Sequence, residues 1–504
     1  MARKRGGQIV HQVEREFAEM ALGQALGLLG TNPERNAKYV TGAIDHIAKG
    51  EKEEIIRDWV HNWLAEGKPG REFLGRMLRD THPNVRRRYI ARMIISLFFH
   101  DPKIDRQCLE KHGFAPPYTM IVSPSMRCNY KCRGCYAASY ERKDDMKPEL
   151  FDRILGEAED IGINFFSLVG GEPFIYPALL EVINKHNKSF FQVYTNGSFI
   201  DEVMAQRLVK MGNVAPQVSV NGPEEYTDAS RGKGAFQQVV QAMDNLREAG
   251  CVFGFSSLVT RGNVDAICSE EWVDFLIKKG ALYGWLFLYM PVGDDPDMSL
   301  MPTPEQRNQV RLALRRYQNT KPMLFVDFWN YGPLAGGCIA GGRAYFHVNH
   351  RGDVEPCIFC HFATHNINNC SLVEALASPF FKSIRESQPF GYNTLRPCPM
   401  LDHHQAMWSI IQQHGAKPTH EGADKMFTTF ASEMQKYSAG VQEIMDNVWD
   451  NDDYHEWVPG WMATCGIPPA RLEARRQAYE ESRRESKSLR YIMEESGIRG
   501  ISKK

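Results

Sequence analysis

The stretch "SPSMRCNYKCRGCYAASY", residues 123–140, places three cysteines at Cys128, Cys132 and Cys135, spaced by three residues and then by two. Zinc that is held entirely by protein takes four ligands, so an isolated group of three needs a distant fourth. A cubane iron–sulfur cluster has four irons, so three cysteines leave one iron open to another ligand. On these residues alone both kinds of metal site remain open.

Length and composition set the broad class. The chain has 504 residues, 43% hydrophobic and 24% charged, which predicts a large core and at least two domains. Its formal net charge of -1 excludes a general basic surface, and nucleic-acid binding is not expected. No apolar run is long enough to cross a bilayer, and the basic N-terminal segment lacks the apolar core of a secretory signal. We expect a cytoplasmic protein.

The twelve cysteines are not expected to form a disulfide framework, because the cytosol keeps thiols reduced. Reduced and clustered cysteines indicate metal binding instead. A second group follows the first far along the chain, at Cys338, Cys357, Cys360 and Cys398. The solitary cysteines are interpreted as small buried apolar residues; they are Cys108, Cys251, Cys268, Cys370 and Cys465.

Residues 1–112 are predicted to form a helical N-terminal domain, since apolar residues recur at three- and four-residue intervals in segments such as 14–30 and 83–99. In the second of these segments an apolar stripe is flanked by arginines, namely Arg86, Arg87, Arg88 and Arg92. Such a helix either approaches an anionic membrane or a partner, or packs its apolar face on the next domain with its arginines in solvent. Both alternatives are kept.

From residue 117 onward, short β-branched or aromatic runs alternate with longer helical patterns. The six apparent strands span residues 118–123, 164–169, 190–195, 215–220, 252–259 and 283–290. This alternation predicts an α/β fold with a parallel sheet and crossover helices, either open or closed into a barrel. Chemistry in such barrels lies at the carboxyl ends of the strands, which is where the three-cysteine loop begins.

These residues carry a family resemblance. The Cys128-x-x-x-Cys132-x-x-Cys135 pattern resembles the signature of the radical S-adenosylmethionine (radical SAM) superfamily, and Tyr136 matches the aromatic residue that the family places near adenine. The residues after the second strand match the segment that, in the family, hydrogen-bonds the methionine amino group. They are Gly170, Gly171, Glu172 and Pro173.

Later strand ends extend the resemblance. Thr195 and Asn196 begin a "TNG" motif, Ser219 matches a position near the ribose, and Arg231 matches one near the carboxylate of S-adenosylmethionine. One departure is visible: Asn221 stands where relatives often carry Asp, so a proton-accepting role there is in doubt. The order of these motifs, each after a successive strand, is what makes the resemblance specific.

The resemblance implies a partial (β/α)6, TIM-like barrel over residues 113–330. It further implies a [4Fe-4S] cluster whose open iron binds S-adenosyl-L-methionine, and reductive cleavage to a 5′-deoxyadenosyl radical that abstracts hydrogen from an unactivated C–H bond. The cofactor would do the difficult chemistry, while the protein aims the radical and excludes water. An electron donor is implied too: a reductase, a ferredoxin or a flavodoxin.

The second cysteine group, in residues 331–402, resembles the auxiliary-cluster extension of the SPASM or shorter Twitch type. Residues 344–356 are predicted to form a β-hairpin with its turn at Gly352, which brings Cys338 and Cys357 together. The resemblance implies a second [4Fe-4S] cluster on the four cysteines, with a zinc knuckle as the alternative. His361, His403 and His404 are interpreted as solvent-facing histidines and not as ligands.

Residues 403–504 are predicted to form a helical C-terminal extension. The N-terminal part shows no mixed α/β peptide-binding module, and its basic helix suits a membrane surface, so the first hypothesis is C–H functionalisation of a lipid-like substrate with peripheral membrane contact. Radical modification of a ribosomal peptide or protein is the alternative. A hypothesis of another class is a non-catalytic iron–sulfur carrier or a zinc-binding adaptor.

Overall fold

The computed structural model describes residues 42, 45, 51–98, 102–141, 143–293 and 295–495. The predicted helix over residues 14–30 lies outside the described residues. The described N-terminal part is helical, and a π-helical turn, Arg86–Ile90, joins its third and fourth helices. These helices are α1 Glu51–Trp63, α2 Pro69–Asp80, α3 Pro83–Val85, α4 Ala91–Phe98 and α5 Pro102–His112.

Strands and helices then alternate. The strands are β1 Thr119–Ser125, β2 Phe165–Gly170, β3 Phe190–Thr195, β4 Val214–Ser219, β5 Gly254–Val259, β6 Tyr283–Leu288 and β7 Leu324–Asp327. The helices between them are α6 Pro148–Asp160, α7 Leu179–Lys185, α8 Glu202–Met211, α9 Glu224–Arg231, α10 Ala235–Ala249, α11 Val264–Ile267, α12 Glu270–Lys279 and α13 Pro304–Thr320.

A single sheet of nine strands organises the fold, in the order β7-β6-β5-β4-β3-β2-β1-β8-β9. The pairs from β1 to β7 are all parallel, as crossover helices require. All six predicted strands are present, and the α/β class is confirmed. The seventh strand, Leu324–Asp327, is not among the predictions. It has only four residues, which is too short for an alternation of apolar and polar residues to be recognised in the sequence.

The last part of the sheet comes from the region of the second cysteine group. β8, Tyr345–Val348, pairs in parallel with β1, and β9, Val354–Glu355, pairs antiparallel with β8. Gly352 lies in the turn at a φ of 88°, so the predicted hairpin is present. The hairpin therefore brings this region directly against the strand that leads into the first cysteine loop.

Helices and one small two-stranded sheet complete the described chain. The small sheet pairs β10, Phe362–Ala363, with β11, Lys417–Pro418. The helices are α14 Gly332–Ala335, α15 Leu372–Ala377, α16 Pro379–Ser387, α17 His404–Gln413, α18 Ala431–Asn451, α19 Tyr454–Thr464 and α20 Pro469–Glu495. Within the described ranges, no helix combines the length and the apolar character needed to span a bilayer.

The arginine-rich segment packs on the barrel. Arg88 donates a hydrogen bond of 2.8 Å to the carbonyl of Met211, and Arg92 donates to the carbonyl of Asn187. Arg86 is buried, with its guanidinium on the carbonyls of Leu78 and Thr81. Three of the four arginines thus bond protein carbonyls, and the packing alternative is favoured over the membrane one. The solvated arginine face expected with that packing is present only in part: Arg87 is exposed, Arg88 and Arg92 are half-buried, and Arg86 is buried.

Arg86→Ala should lower the free energy of unfolding by about 1–3 kcal/mol, because two buried carbonyl groups would lose their donor. Denaturant unfolding followed by circular dichroism measures the change. Arg87→Ala is the matched control, since Arg87 is exposed, and should change stability by no more than about 0.5 kcal/mol. Equal effects of the two substitutions would contradict the packing described for Arg86.

Candidate active site

A cavity of about 370 Å³ lies at the carboxyl ends of the strands. Both cysteine groups line it: Cys128, Cys132 and Cys135 of the first, and Cys338, Cys357, Cys360 and Cys398 of the second. None of the twelve cysteines forms a disulfide. Two regions far apart in sequence are therefore brought to one cavity, which is the position that parallel barrels use for chemistry.

The first cysteine loop is fixed by hydrogen bonds at both ends. Arg127, just before Cys128, forms an ion pair with Asp145 through its Nε atom at 2.9 Å. Arg133, inside the loop, donates its backbone N–H to the carbonyl of Ser230 at 2.8 Å. The three thiols are half-buried. The loop is thus held open toward the cavity and does not collapse onto its own cysteines.

Two glycines allow the turn after β2 to pack against this loop. A Cβ atom on Gly170 would lie 2.3 Å from the carbonyl oxygen of Ser125, and one on Gly171 would lie 2.1 Å from that of Arg127. The Gly171 N–H instead donates to the Ser125 carbonyl at 3.0 Å. The space that a side chain would need is therefore filled by backbone of the cysteine loop. Gly170 also has a φ of 112°, which favours glycine.

Glu172 is wholly buried behind the cavity and does not line it. Its carboxylate accepts hydrogen bonds from the Thr195 hydroxyl at 2.8 Å and from the Asn196 and Phe174 backbone N–H groups at 2.7 and 3.2 Å. Burial raises the pKa of Glu172 to about 7, against the effect of these donors. Glu172 therefore ties the turn after β2 to the turn after β3.

The other predicted residues of the first site fall into two places. Pro173 is buried with Glu172 behind the cavity. The remaining predicted residues line the cavity: Tyr136, Gly170, Gly171, Thr195, Asn196, Ser219 and Arg231. The Tyr136 hydroxyl accepts a hydrogen bond from the Gly170 N–H at 3.1 Å, and burial, as the main cause, raises the pKa of Tyr136 above its usual range. Sequence positions 95 residues apart, Tyr136 and Arg231, thus meet at one surface.

Asn221 also lines the cavity, but both ends of its amide are used by the protein. Its Nδ2 donates to the Ser230 hydroxyl at 2.9 Å, and its Oδ1 accepts the Leu258 N–H at 3.0 Å. An aspartate at this position has no donor for Ser230. The departure from the family pattern therefore has a structural role in joining the turn after β4 to helix α9 and to strand β5.

In the second cysteine group Cys360 is buried, and the other three thiols are half-buried like those of the first group. Burial raises the pKa of Cys338 to about 12 and raises the pKa values of Cys357, Cys360 and Cys398 as well. Buried thiols with raised pKa values ionise only when a bound cation offsets the free-energy cost of burying the negative charge. Thiolates are soft ligands that suit iron or zinc. This donor set fits a metal cofactor.

Among the described residues, no group of three or more Cys, His, Asp or Glu side chains is close enough to share a single metal ion. A four-iron cubane does not need such closeness, because each cysteine binds a separate iron at a corner of the cluster. The thiols that line the cavity are soft ligands suited to either iron or zinc.

Two of the three predictions on histidines are wrong, those for His361 and His404. His361 is buried, with Nδ1 2.5 Å from Nε2 of His420 and Nε2 2.8 Å from the carbonyl of Ile358. His404 is buried too, and His403 is half-buried with its Nε2 2.9 Å from the Arg396 carbonyl. Each lies where distant segments pack together, which local polarity does not reveal.

A buried polar chain links the two cysteine regions and is not among the predicted site residues. The Ser123 hydroxyl lies 2.7 Å from Nε2 of His347, and Nδ1 of His347 lies 2.6 Å from the carboxylate of Glu355. That carboxylate also accepts from Tyr140 at 2.8 Å and from Thr419 at 2.5 Å. Because β8 pairs with β1, this chain fastens the hairpin of the second group to the strand of the first.

The cavity wall is aromatic. Its aromatic side chains include Tyr194, Trp285, Phe287, Phe328, Trp329 and Phe359. Among the described residues that line the cavity, the charged side chains are Arg133 and Arg231, and none is Asp, Glu, Lys or His. The alternation of Trp285 and Phe287 along β6 is the sequence signal for an inward-facing wall. The wall offers an apolar surface with two positive charges and no carboxylate base.

Comparison with known proteins agrees with this geometry. Residues 122–266 match the model of the radical SAM superfamily. Over 301 residues the chain is 28% identical to the mycofactocin maturase MftC of Mycobacterium ulcerans, covering 56% of this chain and 80% of that protein. It is 24% identical over 298 residues to an AdoMet-dependent heme synthase of Nitratidesulfovibrio vulgaris, covering 52% and 77%.

Among solved structures, Streptococcus suis SuiB bound to S-adenosylmethionine superposes with a TM-score of 0.48 at 19% identity. That superposition covers 64% of this chain and 84% of SuiB. The match to the family model begins in β1, runs through the three-cysteine loop and ends in α11. Residues 122–266 of the chain therefore form a radical SAM domain.

Proposed function

We propose that this enzyme abstracts a hydrogen atom from an unactivated C–H bond of an apolar side chain carried on a peptide. When a reduced [4Fe-4S] cluster is bound, it donates one electron to S-adenosylmethionine, which gives methionine and a 5′-deoxyadenosyl radical. Cys128, Cys132 and Cys135 would hold that cluster, and the neighbouring backbone of Gly170 and Gly171 would hold the methionine part.

The observation that carries the proposal is the lining of the cavity. Aromatic side chains give the cavity an apolar surface, and among the described residues that line it no carboxylate, lysine or histidine offers a strong base. Removal of a proton from carbon needs a positioned base. Removal of a hydrogen atom needs only a radical held close to the bond, in a site that keeps water away. The cavity is thus suited to radical chemistry on an apolar group.

Within this site we assign Arg231 to the carboxylate of S-adenosylmethionine, since it is one of two positive charges on the cavity. Ser219 would lie beside the ribose, where its hydroxyl is 3.1 Å from that of Ser256. Tyr136 would pack near the adenine, oriented by its bond to the Gly170 N–H. Thr195 and Asn196 would keep the turn after β3 in place through Glu172.

We further propose that Cys338, Cys357, Cys360 and Cys398 hold a second, auxiliary [4Fe-4S] cluster in a region of residues 331–402. Four cysteines would complete its ligands and leave no open iron, which suits electron transfer more than binding of S-adenosylmethionine. The position of this group on the same cavity as the first supports an auxiliary cluster that exchanges electrons with the reacting centre, and hence an external electron donor for reduction.

A peptide is favoured over a lipid as the substrate for two reasons. The basic helix, which was the reason to expect a membrane, bonds its arginines to protein carbonyls. The relatives in mycobacteria are called maturases, a word for enzymes that process a precursor into its mature form. The aromatic wall suits an apolar side chain inserted from such a precursor.

Cys132→Ala should abolish release of 5′-deoxyadenosine and lower bound iron by about four atoms per chain, since one iron would lose its ligand. The measurement is anaerobic incubation with dithionite and S-adenosylmethionine, followed by chromatography and by iron, sulfide and zinc analysis. Cys370→Ala is the matched control, because Cys370 donates to the Asn366 carbonyl outside the cavity.

An unchanged rate of nucleoside release in Cys132→Ala would overturn the first site. Zinc in place of iron in the purified protein would favour the metal-binding adaptor. Iron without nucleoside release in the wild type would favour a non-catalytic electron carrier.

Deuterium from the substrate should appear in 5′-deoxyadenosine when a suitable peptide is present, because the radical takes the hydrogen atom directly. The probes are deuterated peptides made from short open reading frames beside the gene, compared with vesicles of perdeuterated phosphatidylcholine. Mass spectrometry of the nucleoside reads the transfer. Deuterium that comes from the acyl chains and not from any peptide would contradict the peptide proposal and restore the lipid one.

A further inference from the structure

An ion pair between Arg307 and Asp402 lies entirely inside the protein. Both side chains have no exposed surface, and the distances from the guanidinium to the two carboxylate oxygens are 2.6 and 3.1 Å. Arg307 comes from α13 and Asp402 from the loop after the last cysteine of the second group. A pair buried this completely costs several kcal/mol of desolvation per ion, so its presence calls for a role beyond stability.

The pair forms hydrogen bonds with the cavity wall and with the second cysteine group. Arg307 donates to the carbonyls of Trp329 at 3.1 Å and Leu395 at 3.0 Å. Asp402 accepts the backbone N–H of Cys398 at 3.0 Å through Oδ2, and its own N–H donates to the Cys398 carbonyl at 2.8 Å. Asp402 therefore closes a tight turn that begins at Cys398, and Arg307 ties this turn to the aromatic wall.

Electrostatics gives the pair a second effect. The reduction potential of an iron–sulfur cluster depends on net charge nearby, on hydrogen bonds and on burial. A positive charge stabilises the reduced cluster, which is the more negative form, and a negative charge does the opposite. In the intact pair the two charges cancel beside Cys398. Loss of one partner would leave a full charge in a region without water to screen it.

We propose that Arg307 and Asp402 are positioning residues for the auxiliary cluster. Asp402 holds the backbone of Cys398 in place for iron, and the cancellation of charge between the two side chains sets the potential at which the cluster accepts an electron. This inference rests on the proposed auxiliary cluster. It goes beyond that proposal by naming what fixes the fourth cysteine and what tunes the electron transfer.

The test is a redox titration of the full chain followed by electron paramagnetic resonance. Asp402→Asn keeps an oxygen acceptor for the Cys398 N–H but leaves Arg307 uncompensated. At a fixed solution potential the ratio of reduced to oxidised auxiliary cluster should rise about tenfold, which is about 59 mV for one electron. The cluster on Cys128, Cys132 and Cys135 should keep its potential.

Two further variants separate charge from geometry. Arg307→Gln leaves the carboxylate uncompensated and should shift the potential in the negative direction. Arg307→Gln combined with Asp402→Asn removes both charges and should return the potential toward that of the wild type. Asp452→Asn is the matched control, since Asp452 pairs with Arg315 on the same helix at 3.0 Å, and it should leave both clusters unchanged.

Opposite shifts in the two single variants, cancelled in the double variant, would support the inference. Shifts of the same sign in all three, or no shift with full iron content, would overturn it. Iron content keeps this outcome distinct from failure of the auxiliary cluster itself. Wild-type protein that binds only about four irons, all lost with Cys132→Ala, would refute the auxiliary cluster and not merely the role of the ion pair.

Discussion

The backbone interlock between the first cysteine loop and the turn after β2 is the constraint on which the site depends. The N–H groups of Gly171 and Glu172 donate to the carbonyls of Ser125 and Arg127, and the two glycines make the approach sterically allowed. The parallel register of β1 and β2 brings both segments to the same edge. Any side chain at Gly171 would collide with the backbone of Arg127 and displace the cysteine loop. The same backbone contacts therefore position both the cavity wall and the thiols.

Buried polar groups then join elements that the chain order keeps apart. Glu172 joins the turns after β2 and β3, and Glu355 joins the hairpin of the second cysteine group to β1 through His347 and Ser123. The pKa of Glu355 lies below its usual range: burial raises it, but hydrogen bonds from His347 and Thr419 outweigh that effect. Each carboxylate has several donors, as buried charges require. The aromatic wall of the cavity is consequently apolar, while the buried groups that hold the surrounding elements together, Glu172 and Glu355, are polar.

Much of the fold follows from local patterns. The six predicted strands and the helices between them are visible in the sequence as changes in the spacing of apolar residues. The hairpin around Gly352 follows from the glycine at its turn. β7 is too short to be recognised, and the roles of Arg86 and Arg88 are invisible because their partners are carbonyls of distant segments. Likewise the sequence predicts His361 and His404 to be surface residues, because their burial depends on distant segments that pack over them. Burial of a polar side chain depends on what packs over it.

The sequence by itself determined the match to the radical SAM superfamily, since the spacing of Cys128, Cys132 and Cys135 and the order of the strand-end motifs are properties of the chain alone. The tertiary structure alone decided how the two cysteine groups share one cavity, because parallel pairing of β8 with β1 closes a gap of more than 200 residues along the chain. It also decided that Glu172 supports the site from behind and that Arg307 meets Asp402. Ligand spacing is a local property of the chain, whereas burial and pairing arise only when distant elements pack together.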